Sequence, residues 1–212
     1  MRSFSSSFMS ATQDTSFARL VSLACHDLRT PLATIFGFAR TLTKMQDLGE
    51  PATRYLSMVE IAAGQLGELL DELSLAARID SGRYEPSIQD ADTADLARSA
   101  AERLGEDRVE VRGSGGAIRV DREATERAIS ALAQCALRHG GLERITITAE
   151  GPELRVEPIT PASKPVVLGE DMRDLGAAVA VRLVRTLGGS VEADGDAVVV
   201  RLSEAGGRAF GP

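Results

Sequence analysis

Two long segments near the start of the chain repeat apolar residues at helical spacing, and a very short turn joins them. In the first segment, from about residue 15 to residue 46, the steps of three and four are typical of one buried helix face. In the second, which follows Pro51, alternating steps of four and three form a heptad seam. The first set is Phe17, Leu20, Ala24, Leu28, Leu32, Ile35, Ala39 and Leu42, and the second is Tyr55, Val59, Ala62, Leu66, Leu69, Leu73 and Ala76.

Helices joined by so short a turn, residues 47–51, are expected to form an antiparallel hairpin. A single hairpin leaves both seams half exposed, so we expect two chains to associate as a homodimer with a four-helix bundle. An isolated coiled coil would explain the seams equally well. A purified monomer in which the rest of the chain covers both seams would contradict the dimer.

A histidine with polar neighbours lies on the first of these helices. His26 is two residues from both Ala24 and Leu28, or roughly 200° around the helix from each, so we expect it to point into solvent. Pro31 lacks the N–H that would bond the carbonyl of Asp27, which predicts a kink or a loosened turn. Asp27 can bond one ring nitrogen and leave the other as a nucleophile, while Thr30 projects from the same face as His26.

The run from His26 to Leu32 reads His-Asp-Leu-Arg-Thr-Pro-Leu, and it resembles the H-box of two-component sensor histidine kinases. Residues 75–83 resemble the end of the same dimerisation and phosphotransfer domain, so the likeness covers about residues 15–84. It implies a phosphoryl group on His26, with Asp27 as base and orienter. It also implies that Arg29 steadies the transferring oxygens and that Thr30 positions a hydrolytic water.

The remaining chain carries short strands and helices in separate runs, which predicts an α+β fold with helices on a mixed sheet. We expect a disordered leader at 1–14, the helical hairpin at 15–84, a second domain at 85–205 and a loose tail at 206–212. The predicted helices are 93–104, 121–139 and 174–187, and the predicted strands are 109–112, 117–120, 144–148, 153–156, 190–193 and 197–202.

This order of elements after an H-box hairpin is similar to the Bergerat-type ATP-binding domain of histidine kinases, an α/β sandwich, but its motifs are altered. Cys135 takes the position of the asparagine that binds magnesium in the family, and a neutral thiol is a poor ligand for that hard cation. Arg138 and His139, which follow it, are expected to be a solvated helix end.

The two glycine-containing motifs of the family are altered as well. Residues 157–165 contain three prolines and lack the aspartate that reads adenine, which predicts a stiff loop. Residues 172–177 retain only Gly176, and Asp174 places a negative charge at a helix start that would otherwise attract phosphate. We therefore expect the degenerate second domain to bind neither ATP nor a metal or other cofactor.

Composition argues against several other classes of protein. A formal net charge of −7 argues against a nucleic-acid interface. Cys25 and Cys135 are too few for a disulfide framework and are expected to be reduced and buried. No apolar run approaches the ~18 residues of a membrane helix, so we expect a cytoplasmic protein that contacts no membrane.

Taken with the resemblance, these observations predict a histidine phosphotransferase of a two-component phosphorelay, similar to the dimeric bacterial phosphotransferases with a degenerate kinase domain. His26 would carry a phosphoryl group to and from response-regulator receiver aspartates, with Mg²⁺ supplied by the receiver and with possible receiver phosphatase activity. One alternative is a divergent soluble sensor kinase that phosphorylates His26 with ATP. Another is a non-catalytic adaptor for a kinase or a receiver. The expected receiver-binding residues are Ser22, Arg29, Ala33 and Gly37.

Overall fold

The computed structural model describes residues 21, 25–26, 28–44 and 49–203 of the 212-residue chain. The chain divides into two compact units, with the division between Tyr84 and Glu85. None of the helices among these residues is long and apolar enough to cross a membrane.

The first unit is a pair of helices. Residues 28–43 form one continuous helix, and residues 21, 25 and 26 are also helical; we refer to these described residues as α1. The helical assignment continues through Pro31, so the expected loosening does not interrupt the helix. The second helix, α2 (Glu50–Asp80), begins with Pro51 in its first turn, where a missing N–H costs nothing. After its cap Ser81, Gly82 takes a left-handed conformation with φ of 66° and ends the helix as predicted.

Each helix of the hairpin carries two apolar stripes rather than one. One stripe forms the hairpin core, with Cys25 and Leu32 on α1 packed against Ala63 and Leu70 on α2. The other stripe faces solvent in the single chain. We name this second stripe the exposed seam, and its members are Leu28, Ile35, Leu42, Tyr55, Val59, Leu66, Leu69 and Leu73.

The exposed seam corrects the prediction of a single buried stripe. Leu28 and Ile35 are 55% and 51% exposed, whereas Leu32 is 9% exposed. The physical reason is that α2 can cover only one side of α1. An apolar band wide enough to touch two neighbours is therefore half uncovered when only one neighbour is present. The expectation that one hairpin leaves apolar seams uncovered is confirmed.

The second unit is a mixed sheet with helices packed against it, which confirms the predicted α+β fold. Its five-stranded sheet has the order β2-β4-β5-β7-β6, with β2 and β4 parallel and the other neighbours antiparallel; β1 and β3 form a separate antiparallel pair. The elements are β1 (Ile88–Asp92), α3 (Thr93–Leu104), β2 (Val109–Gly115), β3 (Ala117–Asp121), α4 (Arg122–Gly140), β4 (Ile145–Glu150), β5 (Glu153–Glu157), α5 (Lys164–Val167), α6 (Leu175–Thr186), β6 (Ser190–Asp194) and β7 (Ala197–Arg201).

Helix α4 lies between α3 and α6 and contacts both of them. Its buried face includes Ile129 and Leu132, which are fully excluded from solvent, as are Ile147 on β4 and Val156 on β5. Alternate residues of β4 are buried, as expected for a strand with one face on the core. This packing fixes the C-terminal turn of α4 beside the start of α6, where the altered motifs lie.

Two elements of the second unit were not predicted. Strand β1 has the burial pattern of a half-exposed edge and contains two aspartates, so its sequence does not resemble a strand. Helix α5 lies in the proline-rich stretch that was predicted to be a stiff loop. Pro165 stands in its first turn, the one helical place where proline is tolerated.

Candidate functional site

The exposure of His26 follows from the burial of its neighbour. Cys25 is 1% exposed and packs in the hairpin core, while His26 faces solvent on α1. Because successive residues of a helix point about 100° apart, anchoring the thiol in the core directs the imidazole away from it. The predicted exposure of the histidine is confirmed. Thr30, one turn later, is also exposed.

Arg29 has an ion-pair partner that the sequence did not indicate. Its guanidinium donates to the carboxylate of Asp71 on α2 over 2.7 Å, with the side chains 45% and 53% exposed. The pair joins the two helices next to His26. Because 42 positions separate the two residues, no local pattern could have found it.

The other residues of the predicted receiver-binding surface are small and exposed. Ala33 and Gly37 face solvent on α1, and an added Cβ at Gly37 would meet no atom within 4 Å. They lie seven and eleven positions after His26, which places them on the same side of the helix. Asp27 and Ser22, the remaining predicted site residues, lie outside the described part of the chain.

In the second unit, the end of α4 and the start of α6 bring together residues from two altered motifs. His139 Nε2 lies 3.1 Å from Asp174 Oδ2, and the Arg138 guanidinium lies 3.5 Å from the same oxygen. The side chains of His139 and Asp174 are only 21% and 10% exposed. The prediction of a solvated helix end was therefore wrong for His139. It fits Arg138 better, whose side chain is 62% exposed.

Asp174 has a second structural role. Its Oδ1 accepts the Ala177 N–H over 3.0 Å and caps α6, which satisfies one of the unpaired donors at the helix start. The predicted negative charge at this helix start is therefore present, and it already occupies the N–H group that a phosphate would need.

Cys135 lies beneath this pair and is completely buried. Burial, together with the negative charge of Asp174, raises the pKa of the Cys135 thiol to about 12. The thiol is therefore protonated and neutral at physiological pH, as the sequence predicted. Gln134, the neighbouring amide, is exposed on a different side of α4.

Polar side chains in and beside the loop after β5 are hydrogen-bonded to one another or to neighbouring backbone. Glu157 accepts a 2.9 Å bond from Arg155, and the buried Ser163 hydroxyl accepts the Thr160 N–H over 3.1 Å. Lys164 donates to the carbonyl of Gly195 over 3.1 Å. These side chains therefore already have hydrogen-bond partners in the loop or in the segments next to it.

Residues 18–82 match the His Kinase A (phospho-acceptor) domain family. The chain is 32% identical over 135 residues to the sensor protein DivL of Caulobacter vibrioides, an alignment that covers 58% of this chain and 17% of that protein. It is 36% identical over 70 residues to the probable sensor histidine kinase TcrY of Mycobacterium tuberculosis, covering 33% of this chain and 15% of TcrY.

The same fold occurs in the crystal structure of full-length ShkA in complex with AMPPNP, with a TM-score of 0.65 and 20% identity. That match covers 88% of this chain and 47% of ShkA. The first unit is thus a histidine phospho-acceptor domain, followed by an α/β unit with the fold of histidine kinases. The chain shares this domain with sensor histidine kinases, and it spans less than a fifth of the length of the curated relatives that it matches.

Proposed function

We propose that this chain is a histidine phosphotransferase of a two-component phosphorelay, which passes a phosphoryl group between His26 and receiver aspartates. The observation that carries the proposal is a contrast between the two units. In the first, His26 is exposed within an unaltered motif. In the second, the residues at the nucleotide motifs are buried or paired with each other, as with Cys135 and the His139–Asp174 pair.

The residues of the second unit do not fit Mg-ATP. Magnesium requires oxygen ligands, and the family's magnesium position holds the buried, neutral thiol of Cys135. The carboxylate of Asp174 takes the helix start that would receive phosphate. These two substitutions support transfer from a phosphorylated partner over autophosphorylation.

In the proposed transfer, a ring nitrogen of His26 attacks the phosphorus of a receiver aspartyl phosphate. The N–P bond forms as the bond from phosphorus to the carboxylate oxygen breaks, and the receiver carboxylate leaves as an anion. Asp27 orients the imidazole and accepts the proton of its other nitrogen. Arg29 lies beside His26 and can donate to the transferring oxygens, and the return step reverses these changes.

The receiver is proposed to dock along α1. Ala33 and Gly37 lie on the side of α1 that carries His26, and their small size allows a partner element to approach the helix backbone closely. Ser22 and Arg29 complete this proposed surface. The receiver would supply Mg²⁺ from its own acidic pocket.

The exposed seam supports a homodimer. Leu66 and Leu69 of this heptad stripe are about half exposed, and it is unfavourable to leave such an apolar stripe in water. The same stripe on a second chain can pack against it and bury both. Two hairpins joined in this way form a four-helix bundle that presents His26 on its outer surface.

The test is a pair of measurements on one preparation: Mg-ATP titration calorimetry and transfer from a phosphorylated receiver domain. We expect no nucleotide binding, no label from γ-labelled ATP, and rapid labelling from the receiver that His26→Ala abolishes. Label on His26 from ATP would establish the kinase instead. Receiver binding that survives His26→Ala, with no labelling of the wild type, would establish the adaptor.

A further inference from the structure

Three side chains of different chemistry converge where α4 ends and α6 begins. The thiol of Cys135, the imidazole of His139 and the carboxylate of Asp174 each offer one ligand atom, and these atoms all lie within 4.8 Å of one another. The chain has only two cysteines and two histidines, and one of each meets here. The sequence analysis predicted no metal site in this chain.

This donor set is suited to a particular class of metal. Sulfur and imidazole nitrogen are the preferred ligands of Zn²⁺, and a carboxylate oxygen completes many such sites. We infer that Cys135, His139 and Asp174 form a three-ligand site for Zn²⁺ or a divalent ion of the same class. This inference concerns the second unit alone and does not depend on phosphotransfer at His26.

The geometry on α4 and α6 is favourable. Cys135 and His139 are four positions apart and project from the same face of α4. Nε2 of His139 lies 3.1 Å from Oδ2 of Asp174, close to the roughly 3.3 Å between two ligands of a tetrahedral ion with bonds of about 2.0–2.1 Å. The other carboxylate oxygen is held by the Ala177 N–H, which orients Oδ2 toward the histidine.

The present partners of Asp174 can be displaced. Arg138 lies 3.5 Å from Oδ2 and its side chain is 62% exposed, so it can turn into solvent when a cation arrives. On binding, the sulfur–metal bond forms as the Cys135 S–H bond breaks, and that proton passes to solvent. His139 Nε2, which donates to Asp174 in the metal-free chain, releases its hydrogen and binds the ion as a neutral imidazole that is protonated on Nδ1. Three protein ligands leave a fourth position for water.

The test is titration of the full chain with Co²⁺ alone, followed by competition with Zn²⁺. We expect one ion per chain, with the intense visible bands of tetrahedral cobalt and a near-ultraviolet thiolate-to-cobalt charge-transfer band. Cys135→Ser should remove the charge-transfer band. Asp174→Asn should weaken affinity at least about tenfold, and asparagine retains the cap on α6, so folding is preserved.

Cys25→Ser is the matched control, because it removes the other buried cysteine and should leave the cobalt spectrum unchanged. Circular dichroism of each variant establishes that it is folded. The inference is overturned if folded wild type binds no Co²⁺, or if its spectrum is that of octahedral cobalt and is unchanged by Cys135→Ser. Loss of receiver phosphotransfer with intact cobalt binding would contradict the proposed function alone.

Discussion

The Arg29 guanidinium and the Asp71 carboxylate are 2.7 Å apart and join the two helices of the hairpin next to His26. Both side chains are about half exposed, so the pair contributes at most about 1 kcal/mol to folding. It holds a cation beside the exposed imidazole. The pair therefore serves the position of Arg29 more than the stability of the hairpin.

Arg29→Ala is predicted to slow transfer from a phosphorylated receiver about tenfold, because a charge-assisted hydrogen bond to the transferring oxygens is lost. The free energy of unfolding, measured by urea denaturation, should fall by no more than about 1 kcal/mol. Arg98→Ala is the matched control, since it breaks an exposed 2.8 Å pair with Asp95 in the second unit and should not affect transfer. An unchanged transfer rate for Arg29→Ala would show that Arg29 does not contact the phosphoryl group.

Thr30→Ala is predicted to reduce dephosphorylation of the receiver by about a hundredfold, because the attacking water loses the hydroxyl that positions it. Phosphoryl transfer to His26 needs no water and should change less than threefold. Phosphate release and His26 labelling, measured on the same samples, separate the two steps. Thr41→Ala is the control, because Thr41 is exposed on the same helix and its hydroxyl donates to the Gly37 carbonyl. Equal losses in both steps would exclude a role specific to water.

Leu66→Glu is predicted to convert a dimer into a monomer. A two-fold bundle contains this side chain twice. The change therefore costs about 3 kcal/mol or more of the free energy that apolar burial contributes to dimerisation, and it raises the dissociation constant of the dimer more than about a hundredfold. Sedimentation equilibrium measures the effect. Met172→Glu is the control: it makes the same type of change at a residue of the second unit that is 63% exposed. The molecular mass of this variant in solution should remain that of the dimer. A monomeric wild type would contradict the proposed role of the exposed seam.

In the metal-free chain, kept so by a chelator, Cys135 is predicted to make stability fall at alkaline pH. The pKa of the thiol is raised from 9.0 to about 12 by burial in the folded chain, while unfolding restores the ordinary value. A raised folded pKa contributes stability that is fully present below pH 9 and is lost as the pH approaches 12. Over that window the free energy of unfolding should fall about 1.4 kcal/mol per pH unit more steeply for wild type than for Cys135→Ala.

Urea denaturation of both proteins across this alkaline range measures the difference in slope. Cys25→Ala retains Cys135 and should keep the wild-type slope. Parallel slopes for wild type and Cys135→Ala would mean that the thiol ionises equally well in the folded and unfolded chains.

Local patterns predicted much of this fold. The predicted helix 93–104 coincides with α3, and α6 (Leu175–Thr186) lies within the predicted helix 174–187. Helical periodicity and capping depend on residues within one or two turns, so they are readable along the chain. The exposure of His26 was predictable for the same reason.

Contacts between distant residues were not predictable. The Arg29–Asp71 and His139–Asp174 pairs join positions 42 and 35 residues apart, and each depends on how two helices pack. The division of apolar residues into a hairpin core and an exposed seam has the same origin. Periodicity identifies an apolar band, whereas its coverage depends on which neighbours are present.

The adjacency of Cys25 and His26 has a consequence for how substitutions should be interpreted. The thiol is held by contacts with α2, and the next residue along the backbone is the proposed nucleophile. Any change in side-chain volume at Ala63 or Leu70 that turns α1 about its axis must turn the imidazole through the same angle. We therefore expect the reactivity of His26 to depend on packing in the hairpin interior, so that a core substitution far from any partner alters the proposed active site.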